Sequence, residues 1–280
     1  MAEKKNGAMD QADPHLRHAR GGVFGTEEWA MKNANAIEGC GHNCLYCYAK
    51  TMAIRFGRRT ATSWSVETDR LDMVSRVCTG TPCRVMFPST HDITPNSLPC
   101  CMEAMGTLLA YGHSLLVVSK PHLECIEAVC TRFKEFKDKM LFRFTIGSAD
   151  NAVLSFWEPQ APTFEERVLS LIHVYDAGFQ TSVSCEPMLD NNIDGVVSEV
   201  LPFVTDAVWI GKANQLRARL KINGASPEIM IRGEELIAWQ NDDSIRDLYL
   251  RLKDNPKIKW KESIKKVVGL EVPQQAGLDV

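Results

Sequence analysis

The chain has 280 residues, 45% of them hydrophobic, and a formal net charge of −3. This length allows one α/β barrel or two smaller domains, and the small net charge excludes a global attraction to nucleic acid or to an anionic membrane. The sequence has no apolar run near the ~18 residues of a membrane span, and its polar N-terminus lacks a signal-peptide core. We therefore expect a cytoplasmic protein that makes no membrane contact.

Short β-rich runs alternate with helical patterns along the chain. Residues 1–25 are charged and lack periodic apolar positions, so we expect a flexible N-terminal segment there. Six strands are predicted, at 32–37, 84–88, 114–119, 142–146, 181–185 and 207–210. Helices are predicted at 44–58, 98–110, 123–133 and 164–175, the last beginning with a capping box of Thr163 and Glu166.

This alternation determines the predicted fold class. Strands separated by helices of this length predict parallel β-α units with right-handed crossovers. The almost continuously apolar run Ser114–Ser119 is typical of a sheet buried on both faces. We therefore predict an α/β fold, a partial (β/α)6 TIM-like barrel of parallel strands over residues 26–215. A C-terminal helical extension and tail, with a helix over 234–252, are predicted for residues 216–280.

The sequence contains ten cysteines, three of them closely spaced. In a chain without an export signal, such a count indicates metal or redox chemistry rather than disulfides. Cys40, Cys44 and Cys47 have the spacing C-x3-C-x2-C, directly after the first predicted strand. Three thiolates in one short segment suit three irons of a [4Fe-4S] cluster and leave the fourth iron open to a ligand. The seven scattered cysteines are expected mostly to be buried core residues.

Other interpretations of the three cysteines are a zinc site that also uses His42, a simple electron-transfer cluster and plain core packing. Zinc is disfavoured because His42 lies inside the ligand loop and no second C-x-x-C pair exists. Either metal alternative would make the protein a non-enzymatic metal-binding module.

The motif, with an aromatic residue before its third cysteine, resembles the signature of the radical S-adenosylmethionine (SAM) superfamily over about residues 32–214. The resemblance implies a [4Fe-4S] cluster that cleaves SAM to methionine and a 5′-deoxyadenosyl radical, which takes a hydrogen atom from the substrate. It also implies that Tyr46 flanks the adenine of SAM and that flavodoxin or ferredoxin donates the electron.

Shorter segments resemble the spore photoproduct lyase-like branch and its phage-associated three-cysteine-motif relatives. They are Cys47-Tyr-Ala, Ser89-Thr-His-Asp-Ile and Ser119-Lys120. In the lyases a cysteine returns a hydrogen atom to the product, and Ser89 stands at the matching position here. A serine O–H bond is too strong for that step. Cys185, at the end of the fifth strand, is a candidate donor, although a buried strand cysteine is the competing interpretation. An isomerase-type member needs no donor.

Polar residues at the strand ends are candidates to bind SAM, because its carboxylate, ammonium, ribose and adenine require mixed polar groups. Besides Tyr46, the candidates are Ser89, His91, Lys120, Ser148, Asp150 and Glu186. Plain turn chemistry is the alternative for Ser148 and Asp150, and solvation is the alternative for Lys120 and Glu186. Residues 157–159 are a candidate lid over the site.

The sequence does not identify the substrate. The lyase-like resemblance favours a nucleobase, a nucleotide or a modified base in DNA, in a lyase or isomerase reaction, and a peptide, an amino acid or a small metabolite is the alternative. The basic run Lys257–Lys266, which includes Trp260, is a candidate contact for a phosphate backbone or else a solvated face.

Overall fold

The computed structural model describes residues 25–277 and shows an α/β fold built on a seven-stranded parallel sheet. In sheet order the strands are β1 (Lys32–Asn33), β4 (Arg84–Phe87), β5 (Ser114–Ser119), β6 (Met140–Thr145), β7 (Gln180–Cys185), β8 (Val208–Ile210) and β9 (Ile258–Trp260). β2 (Ile37–Glu38) and β3 (Thr68–Asp69) form a separate antiparallel pair. The prediction of an α/β partial barrel is confirmed, with one strand more than expected.

The helices lie mainly between the strands and after β8. They are α1 (Tyr48–Arg55), α2 (Leu71–Ser75), α3 (Leu98–Ala110), α4 (Leu123–Arg132), α5 (Asn151–Trp157), α6 (Phe164–Asp176), α7 (Ile193–Val200), α8 (Leu216–Ile222), α9 (Pro227–Trp239), α10 (Asp242–Leu252) and α11 (Glu262–Val268). The predicted capping box is confirmed in part, since the Thr163 hydroxyl accepts a hydrogen bond from the Glu166 backbone N–H at the start of α6.

Alternate residues of each strand face opposite sides of the sheet, because the side-chain period of a strand is two. Val85, Val117 and Phe142 pack in the large core beneath the helices. Met86 and Leu116, one position away, pack inside the barrel. This parity decides which residues at the strand ends can reach a ligand in the barrel.

Two tryptophans and an arginine pack together inside the barrel. The Arg143 guanidinium lies 4.7 Å from the ring centre of Trp29 and 5.2 Å from that of Trp209. Its charge is matched by Asp206, 2.9 Å away, and its Nε donates to Ser182. These side chains therefore fill part of the barrel interior, and Trp29 also lines the cavity described below.

The structure differs from the prediction at several places. The strand predicted at 32–37 is only β1 (Lys32–Asn33), and Ile37 belongs to β2 of the separate antiparallel pair. The seventh strand, β9, lies in the segment predicted as helical extension and tail. The predicted helix over 234–252 is two helices, because Asn241 caps the start of α10 with hydrogen bonds to the N–H groups of Asp243 and Ser244. The predicted helix over 44–58 begins only at Tyr48, since residues 40–47 form turns. Of the predicted flexible segment, residues 1–24 lie outside the described residues. Among residues 25–277, no helix is long and apolar enough to cross a bilayer.

Candidate functional site

A cavity of about 1610 Å³ opens at the C-terminal edge of the sheet, and all three motif cysteines line it. The strand ends add polar side chains, namely Ser89 and His91 after β4, Lys120 after β5, Thr145 in β6, Glu186 after β7 and Lys212 after β8. The C-terminal ends of parallel strands are where ligands bind in α/β barrels. Cys40, Cys44 and Cys47 are therefore at the position where a bound group would meet a ligand held by the barrel.

The loop that holds Cys40 is fixed by close backbone packing. Gly39 has φ +101°, and a Cβ there would lie 2.3 Å from the carbonyl oxygen of Val66 and 2.9 Å from that of Trp64. The Cys40 N–H donates to the Trp64 carbonyl at 3.0 Å, and the Gly41 N–H donates to Glu67 at 2.9 Å. Only glycine fits at position 39, because it lacks the Cβ and tolerates positive φ.

The second half of the motif is fixed by the start of α1. Cys47 is the N-cap of this helix, and its sulfur accepts a hydrogen bond from the Lys50 N–H at 3.3 Å. The buried Lys50 ammonium donates to the Asn43 side chain at 2.9 Å. An N–H···S bond at a helix N-terminus favours the thiolate form of Cys47.

Burial governs the protonation of the motif thiols when no metal is bound. It raises the pKa of Cys40, Cys44 and Cys47 above the ordinary value of 9.0, and neighbouring carboxylates and thiols add to the effect at Cys40. Three thiolates at this depth need cations beside them, because an unpaired buried charge is costly. Soft sulfur donors without a disulfide therefore fit an iron–sulfur cluster chemically.

His42 is not free to join the three cysteines on a zinc ion. Its Nδ1 lies 2.9 Å from Asp92 and its Nε2 lies 2.9 Å from Nε2 of His122, so both ring nitrogens have partners. Ligand atoms of Cys40, His42 and Asp92 do lie within 4.8 Å of one another. This set shares only one cysteine with the motif, so a single ion there would leave Cys44 and Cys47 unused.

Lys120, a predicted SAM-binding residue, lies in the cavity above the ring of Tyr46. Its Nζ lies 3.4 Å from the Asp92 carboxylate and 5.9 Å from the centre of the Tyr46 ring. Burial alone would lower the pKa of Lys120, but the charges of Asp92, Cys44, Tyr46 and Glu158 together raise that pKa well above its usual value. Lys120 therefore carries a positive charge in the cavity.

Tyr46 is held from behind by a buried ion pair. Its hydroxyl donates to Glu158, whose carboxylate is paired with the fully buried guanidinium of Arg167. Arg167 also donates to the carbonyls of Pro162 and Thr145. The interpretation of residues 157–159 as a lid is wrong, since Trp157 and Glu158 are 3% and 1% exposed and pack beneath the site.

Ser89 and His91 are held by the segment after β1. The Ser89 hydroxyl accepts a hydrogen bond from the Asn35 side chain at 3.0 Å. The His91 Nε2 accepts from the backbone N–H groups of Ala36 and Ile37 at 3.2 and 3.3 Å. His91 is buried, and burial lowers its pKa to about 4. As a neutral ring, His91 therefore joins the segment after β4 to the backbone just before the cysteine motif.

Ser148, Asp150 and Cys185 do not line the cavity. The Ser148 hydroxyl donates to Asp190, and Asp150 caps the start of α5. Both side chains therefore stabilise the turn and the helix start. Cys185 is 0% exposed and packs in the core beneath the helices. Side chains alternate along β7, so Cys185 faces the same side as Val183, whereas Ser184 and Glu186 face the barrel interior. The structure gives no support to a hydrogen donor at Cys185.

The basic run Lys257–Lys266 is not the exposed patch that the sequence allowed. Ile258–Trp260 is strand β9, and Lys261 and Lys265 are 1% and 3% exposed. The Lys261 ammonium lies 3.0 Å from Glu28, 3.5 Å from Glu186 and 3.9 Å from the centre of the Trp29 ring. Its charge therefore joins the N-terminal segment to the last strand and does not face solvent.

Three residues that line the cavity each have a buried polar atom without a hydrogen-bond partner among the described residues. These atoms are Nε1 of Trp29, Nε1 of Trp64 and the hydroxyl of Ser184. Buried polar groups without partners are rare, because each missing hydrogen bond costs about 1–3 kcal/mol of folding free energy.

Sequence reasoning missed several residues of the site. The sequence indicated Glu158 only as part of a candidate lid and did not indicate Arg167, because the contact between Glu158 and Tyr46 spans 112 positions and leaves no local motif. Tyr48 and Arg219 also line the cavity. The placement of Tyr48 directly after Cys47 was a signal that could have found it, whereas Arg219 lies in a segment whose pattern predicted only a helical extension.

Three comparisons with known proteins bear on this fold. No protein-family model matches the sequence. The uncharacterized protein ORF301 of Acidianus two-tailed virus is 24% identical over 192 residues, which is 63% of this chain and 62% of that protein. The chain thus spans less than two thirds of this relative, whose name assigns no activity.

Two groups of solved structures are similar to the chain. A spore photoproduct lyase variant with bound AdoMet and dinucleoside spore photoproduct aligns with a TM-score of 0.56 and 14% identity, over 85% of this chain and 78% of that one. Streptococcus suis SuiB bound to S-adenosylmethionine aligns with a TM-score of 0.51 and 8% identity, over 86% and 52%. The chain has the fold of the radical SAM enzymes. At such identities the comparison establishes the fold alone.

Proposed function

We propose that the protein is a radical SAM enzyme in which Cys40, Cys44 and Cys47 hold a [4Fe-4S] cluster. One observation supports this most strongly: three motif thiols, none in a disulfide, line the large cavity at the C-terminal edge of a partial barrel. The cluster, when bound, supplies the electron that cleaves SAM to methionine and a 5′-deoxyadenosyl radical.

The residues of this chain would then bind and orient SAM. The ammonium group of Lys120 can bind the carboxylate of SAM. Asp92, 3.4 Å from Lys120 Nζ, holds the lysine side chain in place. Tyr46, fixed by Glu158, offers a ring edge beside the adenine. Glu186 has one oxygen 3.5 Å from Lys261, and its carboxylate can accept hydrogen bonds from the ribose or the ammonium group.

We further propose that the substrate contains a nucleobase, as a nucleotide or as a modified base in DNA. Ser89 lines the cavity but cannot donate a hydrogen atom, and Cys185 faces away from it. A rearrangement in which the 5′-deoxyadenosine returns its hydrogen atom to the product needs no thiol donor, so it suits this site. A flavodoxin or ferredoxin would supply the electron.

The second candidate is a single metal ion bound by Cys40, His42 and Asp92, whose ligand atoms lie within 4.8 Å of one another. It would make the protein a metal-binding module without SAM chemistry. This candidate requires His42 to give up its hydrogen bond to Asp92 and leaves Cys44 and Cys47 without a role.

The deciding experiment is SAM cleavage by anaerobically reconstituted protein. With dithionite and SAM, the wild-type protein is expected to release 5′-deoxyadenosine, measured by liquid chromatography. Cys44→Ala should abolish the release, and Cys125→Ala, a buried cysteine outside the cavity, should retain it. Release that persists in Cys44→Ala, or no release from a wild-type protein with bound iron, would contradict the proposal. Deuterated candidate substrates would then show which one transfers label to 5′-deoxyadenosine.

A further inference from the structure

Arg219, on α8, is a half-buried cation that lines the cavity. No hydrogen bond or ion pair to its guanidinium comes from residues 25–277. Burial lowers the pKa of Arg219, and Glu186 and other nearby groups only partly offset this. A guanidinium has five N–H donors and stays charged, so leaving it without an acceptor is costly.

The other cations that line the cavity have carboxylate partners. Lys120 lies 3.4 Å from Asp92, and Lys212 lies 3.9 Å from Asp242. Lys266 is paired with Glu262. The carboxylate of Glu186 is already 3.5 Å from Lys261. Among the described residues that line the cavity, Arg219 is therefore the cation without a carboxylate partner, and a bound anion would neutralise its charge.

The position of Arg219 relative to the motif is fixed by Asn223, one turn further along α8. The Asn223 side chain donates to the carbonyls of Leu45 and Cys47 at 2.9 and 3.0 Å and accepts from the Thr51 hydroxyl at 2.9 Å. These three bonds join α8 to α1 and to the loop that holds the motif cysteines (residues 39–47, the cluster loop). A ligand bound to Arg219 would thus have a fixed position relative to the cysteines.

An exposed aromatic ring lies beneath the guanidinium. The Arg219 guanidinium carbon lies 5.9 Å from the centre of the Tyr48 ring, and Tyr48 is 39% exposed and lines the cavity. Met52 and Phe56 follow at four-residue spacing along α1 and its end, 39% and 69% exposed. Arg55 and Arg58 are exposed beside them. An aromatic face next to a guanidinium binds a base and its phosphate together, since bases stack on aromatic rings and guanidinium forms paired hydrogen bonds to phosphate.

We infer that Arg219 and Tyr48 form a subsite for the phosphate and base of a nucleotide substrate, either free or within a single strand. The inference rests on the proposed function, since it places the substrate in the same cavity as SAM. Arg219 binds the phosphate, Tyr48 stacks on a base, and the stripe of Tyr48, Met52 and Phe56 continues outward for the neighbouring nucleotides of a strand.

The test is equilibrium binding to the reconstituted protein, by calorimetry, of inorganic phosphate, thymidine, thymidine 5′-monophosphate, a short oligothymidylate and SAM. Arg219→Gln should weaken the monophosphate about tenfold or more, while thymidine, SAM and the cluster absorbance stay unchanged. Arg217→Gln is the matched control, because Arg217 lies on the same helix but is exposed and paired with Glu234. Arg219→Lys, which keeps the charge but loses the planar fork, should fall between them.

The two sources of phosphate separate in the same experiment. If the ligand is a strand, Phe56→Ala should weaken the oligothymidylate and leave the monophosphate unchanged; if it is a free nucleotide, neither should change. Equal monophosphate affinity in Arg219→Gln and wild type would overturn the inference, as would loss of SAM affinity alone, which would make Arg219 the site for the SAM carboxylate. Wild-type protein that binds neither phosphate nor either thymidylate would also overturn it. A missing cluster or missing SAM cleavage would instead count against the proposed function, since nucleotide binding is read separately.

Discussion

At the scale of single residues, the site depends on charges that are buried and matched. Arg167 and Glu158 have side chains that are both 0% exposed, and together they fix the hydroxyl of Tyr46. Exposed pairs such as Arg217 with Glu234 contribute little to stability, because water screens them. The position of Tyr46 therefore follows from a few buried residues that carry no catalytic motif.

Replacing one member of the buried pair tests this. Arg167→Met leaves the Glu158 carboxylate without its cation and is expected to lower the free energy of unfolding by about 3–5 kcal/mol. Arg217→Met, in the exposed pair, is expected to lower it by less than about 1 kcal/mol. Urea unfolding followed by circular dichroism measures both. Similar losses in the two variants would show that the buried pair has no special role.

His91 makes stability depend on pH in a defined window. Its pKa is lowered from the ordinary 6.5 to about 4 by burial, so between these values the unfolded chain binds a proton that the folded chain does not. This contribution is complete above pH 6.5 and is lost as the pH falls to 4, by up to about 3 kcal/mol.

The comparison that isolates this contribution is urea unfolding of the wild-type protein and of His91→Gln at several pH values. The wild type should lose more stability than the variant between pH 6.5 and pH 4, and the two should run parallel above that window. Parallel curves throughout would mean that His91 does not remain neutral in the folded chain.

At the scale of elements, the loop that holds Cys40 is held in place by the segment after α1, which includes Trp64 and Val66. Gly39→Ala would push a Cβ into the carbonyl oxygen of Val66 and impose positive φ on alanine, so we expect the reconstituted iron content to fall several-fold. Gly57→Ala also imposes positive φ but meets no atom within 4 Å, so its iron content should match the wild type. Iron analysis of both variants decides, and equal contents would show that the close backbone contact at Gly39 is not needed.

Much of the element order was predictable, because hydrophobic periodicity and capping residues are local signals. The strand parity that turns Cys185 away from the barrel was also present in the sequence, since Val183 and Cys185 alternate with Ser182 and Ser184. β9 was missed because it has only three residues and one of them is lysine. Long-range partners such as Glu158 with Tyr46 leave no local pattern, so the sequence could not indicate them.

At the scale of the whole molecule, the barrel interior holds both a packed group of side chains and an open cavity. Trp209 and Arg143 pack around Trp29, and Trp29 also lines the cavity that holds the three motif cysteines. Residues from the two ends of the described chain meet at the barrel, since the Lys261 ammonium donates to the Gly25 carbonyl and pairs with Glu28. Gly25 and Glu262, the neighbour of Lys261, both line the cavity, so its wall is built from segments more than 200 residues apart in sequence; Gly25 and Lys261 are 236 positions apart.

The central claim is that three thiols hold a cubane cluster with one iron open to SAM. Electron paramagnetic resonance of the dithionite-reduced protein, recorded with and without SAM, tests it most directly. We expect a [4Fe-4S]⁺ signal whose shape changes when SAM is added, and close to four irons and four sulfides per chain. A protein that binds one zinc ion and gives no signal, or a cluster signal that SAM leaves unchanged, would contradict it.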